Sequence, residues 1–327
     1  MPVTVVCLQC GAALPTPACD ASGETVCMCG ATIPFTQGIY RFVPDDAFYE
    51  GRFTLTRGAP PGAMSALLEM LRRRGIDGSE DRMWRYGMRT IRQTLGDRPL
   101  DILNVGAGGG HRFLSRHGAV TAVDLSLASL LEARALYACR CQADAERLPF
   151  PDGSFDLVFS SHVLGHVPLD RKQRVVNEVY RVTRRPGFSL HSVECEADNP
   201  VYRRARKYPD LYRQVFMDTF GHYGLELPSA CKRRFREAGF VPVAERSDYC
   251  KGVIRPADSY RTLFRGNAYA EKEWLFRWLG RLSVAMCTPP PVRHAFNLLL
   301  YLLSPLNRLS GPDGVDSVKL LYAKGKP

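Results

Sequence analysis

Lysine is scarce in this chain: of 44 basic residues eight are Lys, and the remaining 36 are Arg. The arginines are spread along the whole sequence and form no long block. The net charge of +11 therefore reads as the codon bias of a GC-rich genome before it reads as a polynucleotide-binding face, and no specific nucleic-acid partner is expected. Short clusters at 71–74 and 202–207 are the remaining candidate anion contacts. Long apolar runs are missing too. The strongest, Phe296 to Leu303, is interrupted by Asn297 and stopped by Pro305, well short of the roughly 20 apolar residues that a bilayer-spanning helix needs. The opening MPVTVVCLQC holds no basic leader ahead of an apolar core, which predicts a cytoplasmic chain. Cysteine is the exception to this thrift. Of 11 cysteines five fall in the first 29 residues, and an odd total without a secretory signal predicts reduced thiols and a bound metal, not a disulfide framework.

Hydrophobic residues make up 45% of the 327 residues and charged residues 24%, enough for a sizeable core with small units attached. Five regions separate. Residues 1–45 are rich in Cys, Gly and Pro. Residues 46–98 carry helical patterning in AMSALLEMLRRR and MWRYGMRTIRQTL. Residues 99–248 alternate short apolar runs with helix-length segments, the pattern of βαβ units on a parallel sheet. Residues 249–315 are helical and aromatic-rich, and 316–327 close with the strand-like SVKLLYA. Predicted core strands are LDILNV, AVTAVDL, ACRCQA, FDLVFSS and FSLHSVE, with VPVAERS and SVKLLYA as a late antiparallel pair. Helices are expected near 129–137, 171–182 and 230–238, and Arg185-Pro186-Gly187 is read as the turn before the fifth strand.

An open α/β sheet binds its ligand beyond the carboxyl ends of its strands. There the first strand runs into Asn104-Val105-Gly106-Ala107-Gly108-Gly109-Gly110, whose glycines let a ligand lie against the backbone. A dinucleotide fingerprint would need glycine where His111 stands, and no Walker lysine follows. Asp124 ends the second strand, 18 residues after Gly106, placed to accept ribose hydroxyls. Asp144 opens Asp144-Ala145-Glu146-Arg147-Leu148-Pro149-Phe150. Pro151-Asp152-Gly153-Ser154-Phe155-Asp156 follows, and then Ser161-His162-Val163-Leu164-Gly165-His166-Val167. Singly, each Asp would more often cap a turn and each His would more often be a satisfied, partly buried residue. Their order and spacing carry the signal.

This run resembles the class I S-adenosylmethionine-dependent methyltransferases related to ubiquinone and menaquinone biosynthesis enzymes, closely over about 99–195 and more loosely at FREAGF (235–240) and the last strand. The resemblance implies an α/β, Rossmann-like fold with a seven-stranded, mostly parallel sheet. It also implies a cofactor site built from Asn104, Gly106, Ala107, Gly108, Asp124, Leu125, Asp144, Ala145, Ser160 and Ser161, with Tyr49 closing over it. Gly106 and Gly108 would line the methionine moiety, Asp124 the ribose and Asp144 the adenine amino group. Asn104 departs from the acid usual at its position and keeps hydrogen bonding without charge.

Cys7-Leu8-Gln9-Cys10-Gly11 and Cys27-Met28-Cys29-Gly30 resemble the zinc ribbons in front of some ribosomal RNA guanine methyltransferases and in a small activator of RNA and protein methyltransferases. The second pair is C-x-C where those have C-x-x-C, so either Cys27 ligates structural Zn²⁺ beside Cys7, Cys10 and Cys29, or Cys19 takes its place.

For methyl transfer the chain has to exclude water, align a nucleophile and sometimes accept a proton. Candidate groups are His222, His166, His162 and Tyr223, with His222 first. The insertions at 199–228 and 249–315 suit a lid or wall over an organic substrate. A homodimer surface and a peripheral membrane helix are the other uses of the second insertion. The expected activity is methylation of a small secondary-metabolite or glycan-type substrate. RNA methylation is the alternative and a non-catalytic cofactor-binding scaffold the third. RNA methylation lacks the base-stacking Asn/Asp-Pro-Pro-Tyr tetrad, since Ser160-Ser161-His162-Val163 stands there.

Overall fold

The computed structural model describes residues 3–50, 80–248, 251–255, 269–287 and 290–325. The helical segment expected at AMSALLEMLRRR lies outside them. Ten strands form one sheet: β1 (Gly23–Val26), β2 (Thr32–Thr36), β3 (Ile39–Arg41), β4 (Leu100–Val105), β5 (Gly118–Asp124), β6 (Cys139–Gln142), β7 (Phe155–Ser161), β8 (Thr183–Glu194), β9 (Val241–Ser247) and β10 (Ser317–Lys324). Their order is β1-β2-β3-β6-β5-β4-β7-β8-β10-β9. The last seven are the expected methyltransferase-type sheet, with β6, β5, β4, β7 and β8 parallel and β10 antiparallel between β8 and β9.

The count of seven is corrected to ten. Strands of the Cys-rich segment do not form a sheet of their own: β3 pairs in parallel with β6, Tyr40 facing Cys141. The backbone edge of β6 is thereby covered.

The central strands are mostly apolar because both faces are covered, with Asn104, Thr121, Asp156 and Ser160 as buried exceptions. One core joins Leu103, Val158 and Val193 to α3 (Leu169–Val182), α5 (Pro228–Glu237) and ribbon residues Val5, Leu14 and Ile33. On α3, Val175, Val176, Val179 and Val182 make the buried stripe of an amphipathic helix. The other core sets Met83, Trp84, Met88 and Ile91 of α1 (Glu80–Leu95), with Leu130 of α2 (Leu127–Glu132), against Ile102, Val120 and Leu157. The Arg185-Pro186-Gly187 turn is absorbed into β8. Phe155 pairs with Thr183 and Leu157 with Phe188, so the turn survives as a wide irregularity within the strand.

The two insertions pack on one another. Tyr202 of α4 (Pro200–Ala205), with Tyr212 and Phe216, shares a third cluster with Tyr269 and with Phe276 of α6 (Trp274–Cys287). α7 (Pro290–Leu303) follows. No described helix is long and apolar enough to cross a membrane.

Candidate active site and cysteine cluster

A cavity of about 750 Å³ opens over the carboxyl ends of β4, β5, β6 and β7. Of the residues expected to hold a cofactor, Tyr49, Gly106, Ala107, Gly108, Asp124, Leu125, Asp144, Ala145 and Ser161 line it, as do His162, His166, His222 and Tyr223. Asn104 and Ser160 do not.

The glycine loop is shaped by its missing side chains. Gly106 has φ +64°, and a Cβ there would lie 2.2 Å from Val163 Cγ2. Asp124 is drawn into the same loop, accepting from Gly108 N at 2.7 Å and from Ser126 N at 2.9 Å. Each of its oxygens keeps lone-pair capacity for another donor. Burial raises the Asp124 pKa against those backbone N–H groups, and the Glu50 charge adds to the rise. Asn104 lies behind the loop. Its Nδ2 donates to Tyr137 Oη at 2.9 Å, and that oxygen also accepts from His111 N at 3.1 Å, so the amide braces the loop indirectly. Ser160 likewise turns away, its Oγ 2.7 Å from Nδ1 of the buried His191. Asp144 accepts from Glu146 N at 3.0 Å and from Arg171 Nη2 at 2.8 Å.

Over the mouth lies the 46–50 turn. Asp46 caps it by accepting from Phe48 N, and Glu50 accepts from Leu127 N at 3.0 Å and Ala128 N at 2.8 Å at the start of α2. Tyr49 is thereby set edge-on to His166, ring centroids 6.0 Å apart, and Phe48 edge-on to Tyr223 at 6.3 Å. From the insertions, Phe220, His222 and Tyr223 reach the cavity, and no described residue of 249–315 does. Among the described residues that second insertion is thus a buttress for the first and supplies no wall.

The far end is built on a residue that the sequence did not single out. Glu194, the last residue of β8, gathers three histidines: His162 Nδ1 is 3.2 Å from Oε1, and His222 Nε2 and His166 Nε2 are 3.2 and 3.9 Å from Oε2. Burial alone would push its carboxyl up, yet the His162 and His222 imidazoles beside it bring it well below the usual carboxylate range. His166 is held in one tautomer, because Nδ1 lies 3.0 Å from the Gly221 carbonyl and so carries the proton. Burial lowers its pKa. His162 has φ +58°, a left-handed backbone unusual for a non-glycine, fixed by its N–H donating to Ser192 O at 2.9 Å. The loop bearing His222 is anchored from below: Lys172 donates to Gly224 O and pairs with Glu226, both buried. Only folding brings Glu194 to residues 162, 166 and 222, and no local spacing could have announced it.

At the opposite edge of the sheet the sulfurs of Cys7, Cys10, Cys27 and Cys29 all lie within 4.8 Å of one another, with Cys7–Cys29 at 3.8 Å and Cys10–Cys27 at 3.5 Å. Tetrahedral zinc, with Zn–S bonds of about 2.3 Å, would space its sulfurs by roughly 3.8 Å. The donor set fits such an ion, and Cys19 lies outside it.

Residues 103–190 match the family model described as a methyltransferase domain. Over those residues the chain carries a methyltransferase domain. A malonyl-[acyl-carrier protein] O-methyltransferase of Erwinia billingiae is 32% identical over 164 residues, which are 46% of this chain and 63% of that protein. A demethylmenaquinone methyltransferase of Mycobacterium marinum is 35% identical over 140 residues, 42% of this chain and 57% of that one. The chain thus spans less than two thirds of either relative's length. Among solved structures, phosphoethanolamine N-methyltransferase 2 of Haemonchus contortus in complex with S-adenosyl-L-methionine aligns at TM-score 0.42 and 17% identity, over 76% of this chain and 54% of that one.

Proposed function

We propose that this protein transfers the sulfonium methyl of S-adenosylmethionine to a small organic acceptor held in the 750 Å³ cavity. The supporting observation is the cavity's division into a glycine-loop end, with Asp124 and Asp144, and a histidine end gathered on Glu194. The cofactor takes the first, with its methionine part along Gly106 and Gly108, its ribose on Asp124 and its adenine toward Asp144. The acceptor takes the second, between Tyr49, His166, His222 and Tyr223. In the step itself the acceptor's nucleophilic atom bonds to the methyl carbon, the C–S bond breaks, and its electron pair stays on sulfur as S-adenosylhomocysteine forms. Any acceptor proton leaves to the histidine cluster or to water. Enclosure contributes by aligning the two partners and excluding water. The two relatives are named for a carboxyl-type and a quinone-type acceptor, and both classes belong in a substrate screen beside secondary metabolites and glycans. Bound zinc at Cys7, Cys10, Cys27 and Cys29 would be structural.

Titration calorimetry with S-adenosylhomocysteine is the direct test. Binding is expected in the wild type, and Asp124→Ala should weaken it by about 1–3 kcal/mol through unpaired ribose hydroxyls. Equal affinity in both proteins would remove Asp124 from the site, and no binding by the wild type would remove the function.

A further inference from the structure

The histidine end has the makings of a second metal centre. His166 Nε2, His222 Nε2 and a Glu194 carboxylate oxygen lie within 4.8 Å of one another at the cavity wall, far from the cysteine cluster in sequence. Two features separate this group from an ordinary ion-pair network. The Gly221 carbonyl, 3.0 Å away, accepts from His166 Nδ1–H, which leaves the neutral ring's lone pair on Nε2, the atom nearest Glu194. That tautomer is the one in which Nε2 can ligate a metal ion. His222 Nε2 lies 3.2 Å from the same carboxylate oxygen, so two ring nitrogens converge on Oε2. The His166 Nδ1–H bond to the Gly221 carbonyl is also the support that metal-ligating histidines ordinarily receive at the remote ring nitrogen.

We propose that His166, His222 and Glu194 bind one divalent transition-metal ion, with open positions facing the cavity. Metal–nitrogen and metal–oxygen bonds of about 2.0–2.2 Å place adjacent ligand atoms roughly 3.0–3.5 Å apart. The observed 3.2 and 3.9 Å need adjustments of only a few tenths of an ångström. Two imidazoles and one carboxylate suit zinc, cobalt, iron or manganese better than magnesium or calcium, which prefer all-oxygen shells. The ligand class for the open positions is an acceptor oxygen of phenolic, enolic or carboxylic type. Such an ion would orient that oxygen and favour its deprotonated form. The assignment rests on the methyltransferase reading for its role, though not for its existence.

The test uses tag-free, full-length protein stripped with chelator and titrated with Co²⁺. Cobalt on the cysteine cluster shows thiolate charge-transfer absorption, while cobalt on nitrogen and oxygen ligands shows only weak ligand-field bands. Wild type should take up one more Co²⁺ per chain than His166→Ala or His222→Ala, with the thiolate signal equal in all three as a report of intact folding. The near-isosteric Glu194→Gln should lower affinity for that ion by about tenfold or more. S-adenosylhomocysteine binding, measured in the same samples, tests the methyltransferase reading separately. A wild type that binds S-adenosylhomocysteine, but whose cobalt stoichiometry and ligand-field bands match those of the variants, overturns the metal site alone.

Discussion

His191 sits in the middle of β8 with Nδ1 against Ser160 Oγ and its ring 4.9 Å from Phe235, and burial holds its pKa down to about 3. An unfolded histidine titrates near 6.5. Between pH 6.5 and 3 the unfolded chain therefore takes up a proton that the folded chain refuses. Stability must fall as pH drops through that window, by about 2 kcal/mol at pH 5 from this residue alone. His191→Phe should lose about 1 kcal/mol at pH 7, where Ser160 goes without a partner, and should show a shallower loss toward pH 5. Urea unfolding of both proteins at pH 7 and 5 measures this, and identical drops would assign the acid sensitivity elsewhere. Residues of this kind also mark what could be read in advance. The places of Gly106, Asp124 and Asp144 at the cavity were legible because each belongs to a short motif at the end of a strand, where backbone geometry alone decides what faces the opening. Ser160 does not line the cavity because alternation along β7 sends it to the sheet face it shares with His191. Glu194, between Val193 and Cys195, takes its meaning from three histidines that other elements deliver.

At the scale of elements the strands were plain in the sequence, since apolar runs and turn residues record burial directly. The joining of the Cys-rich segment to the core was not. A strand ladder is made by backbone groups, and nothing in Ile39-Tyr40-Arg41 names β6 as its neighbour. Side chains reinforce the joint once it forms: Arg41 Nε donates to Gln142 Oε1 at 2.8 Å, and Gln142 Nε2 donates to Asp45 Oδ1 at 2.9 Å. Val6 N also donates to Pro149 O at 2.9 Å. The seam makes a prediction about metal removal. Elemental analysis should find zinc bound through the cysteine cluster, and Cys7→Ser or Cys10→Ser should abolish that equivalent. The unstapled ribbon is too small to hold a core by itself, so it should become protease-sensitive. β6 and the cofactor loop should persist, because the five parallel strands keep one core almost whole and, in the other, the contacts of α3 and α5. A native protein with no zinc at the cysteines would refute the ribbon, and loss of S-adenosylhomocysteine binding in the serine variants would show that the joint supports the site.

For the whole molecule, the surplus of arginine is the property that could most easily mislead. Across the described residues many arginines are already committed to carboxylates. Arg98 and Arg184 flank the buried Asp156, Arg171 and Arg174 share Glu146, and Arg181 holds Glu178 and Asp152. Arg203 and Arg206 meet Asp198, Arg234 meets Glu226, and Arg255 meets Asp316. An arginine pinned in this way would have to break its pair before it could neutralise a phosphate. The apolar exposure points elsewhere as well: Trp274, Trp278, Leu302 and Leu309 face solvent on the second insertion, away from the cavity. Arginines held in this way add little to counterion release, and the others are dispersed along the chain. Binding to single-stranded RNA should therefore show a shallow dependence on log salt, at about −0.7 per phosphate contact, and should vanish near physiological ionic strength. Recognition of a true RNA substrate would persist through base stacking and base-edge contacts. Filter binding of structured and single-stranded RNA at two salt concentrations, with methyl transfer to total RNA assayed in parallel, separates the cases. Tight salt-resistant binding, or label appearing in RNA, would move the acceptor from a small molecule to a polynucleotide and make the histidine end a base pocket.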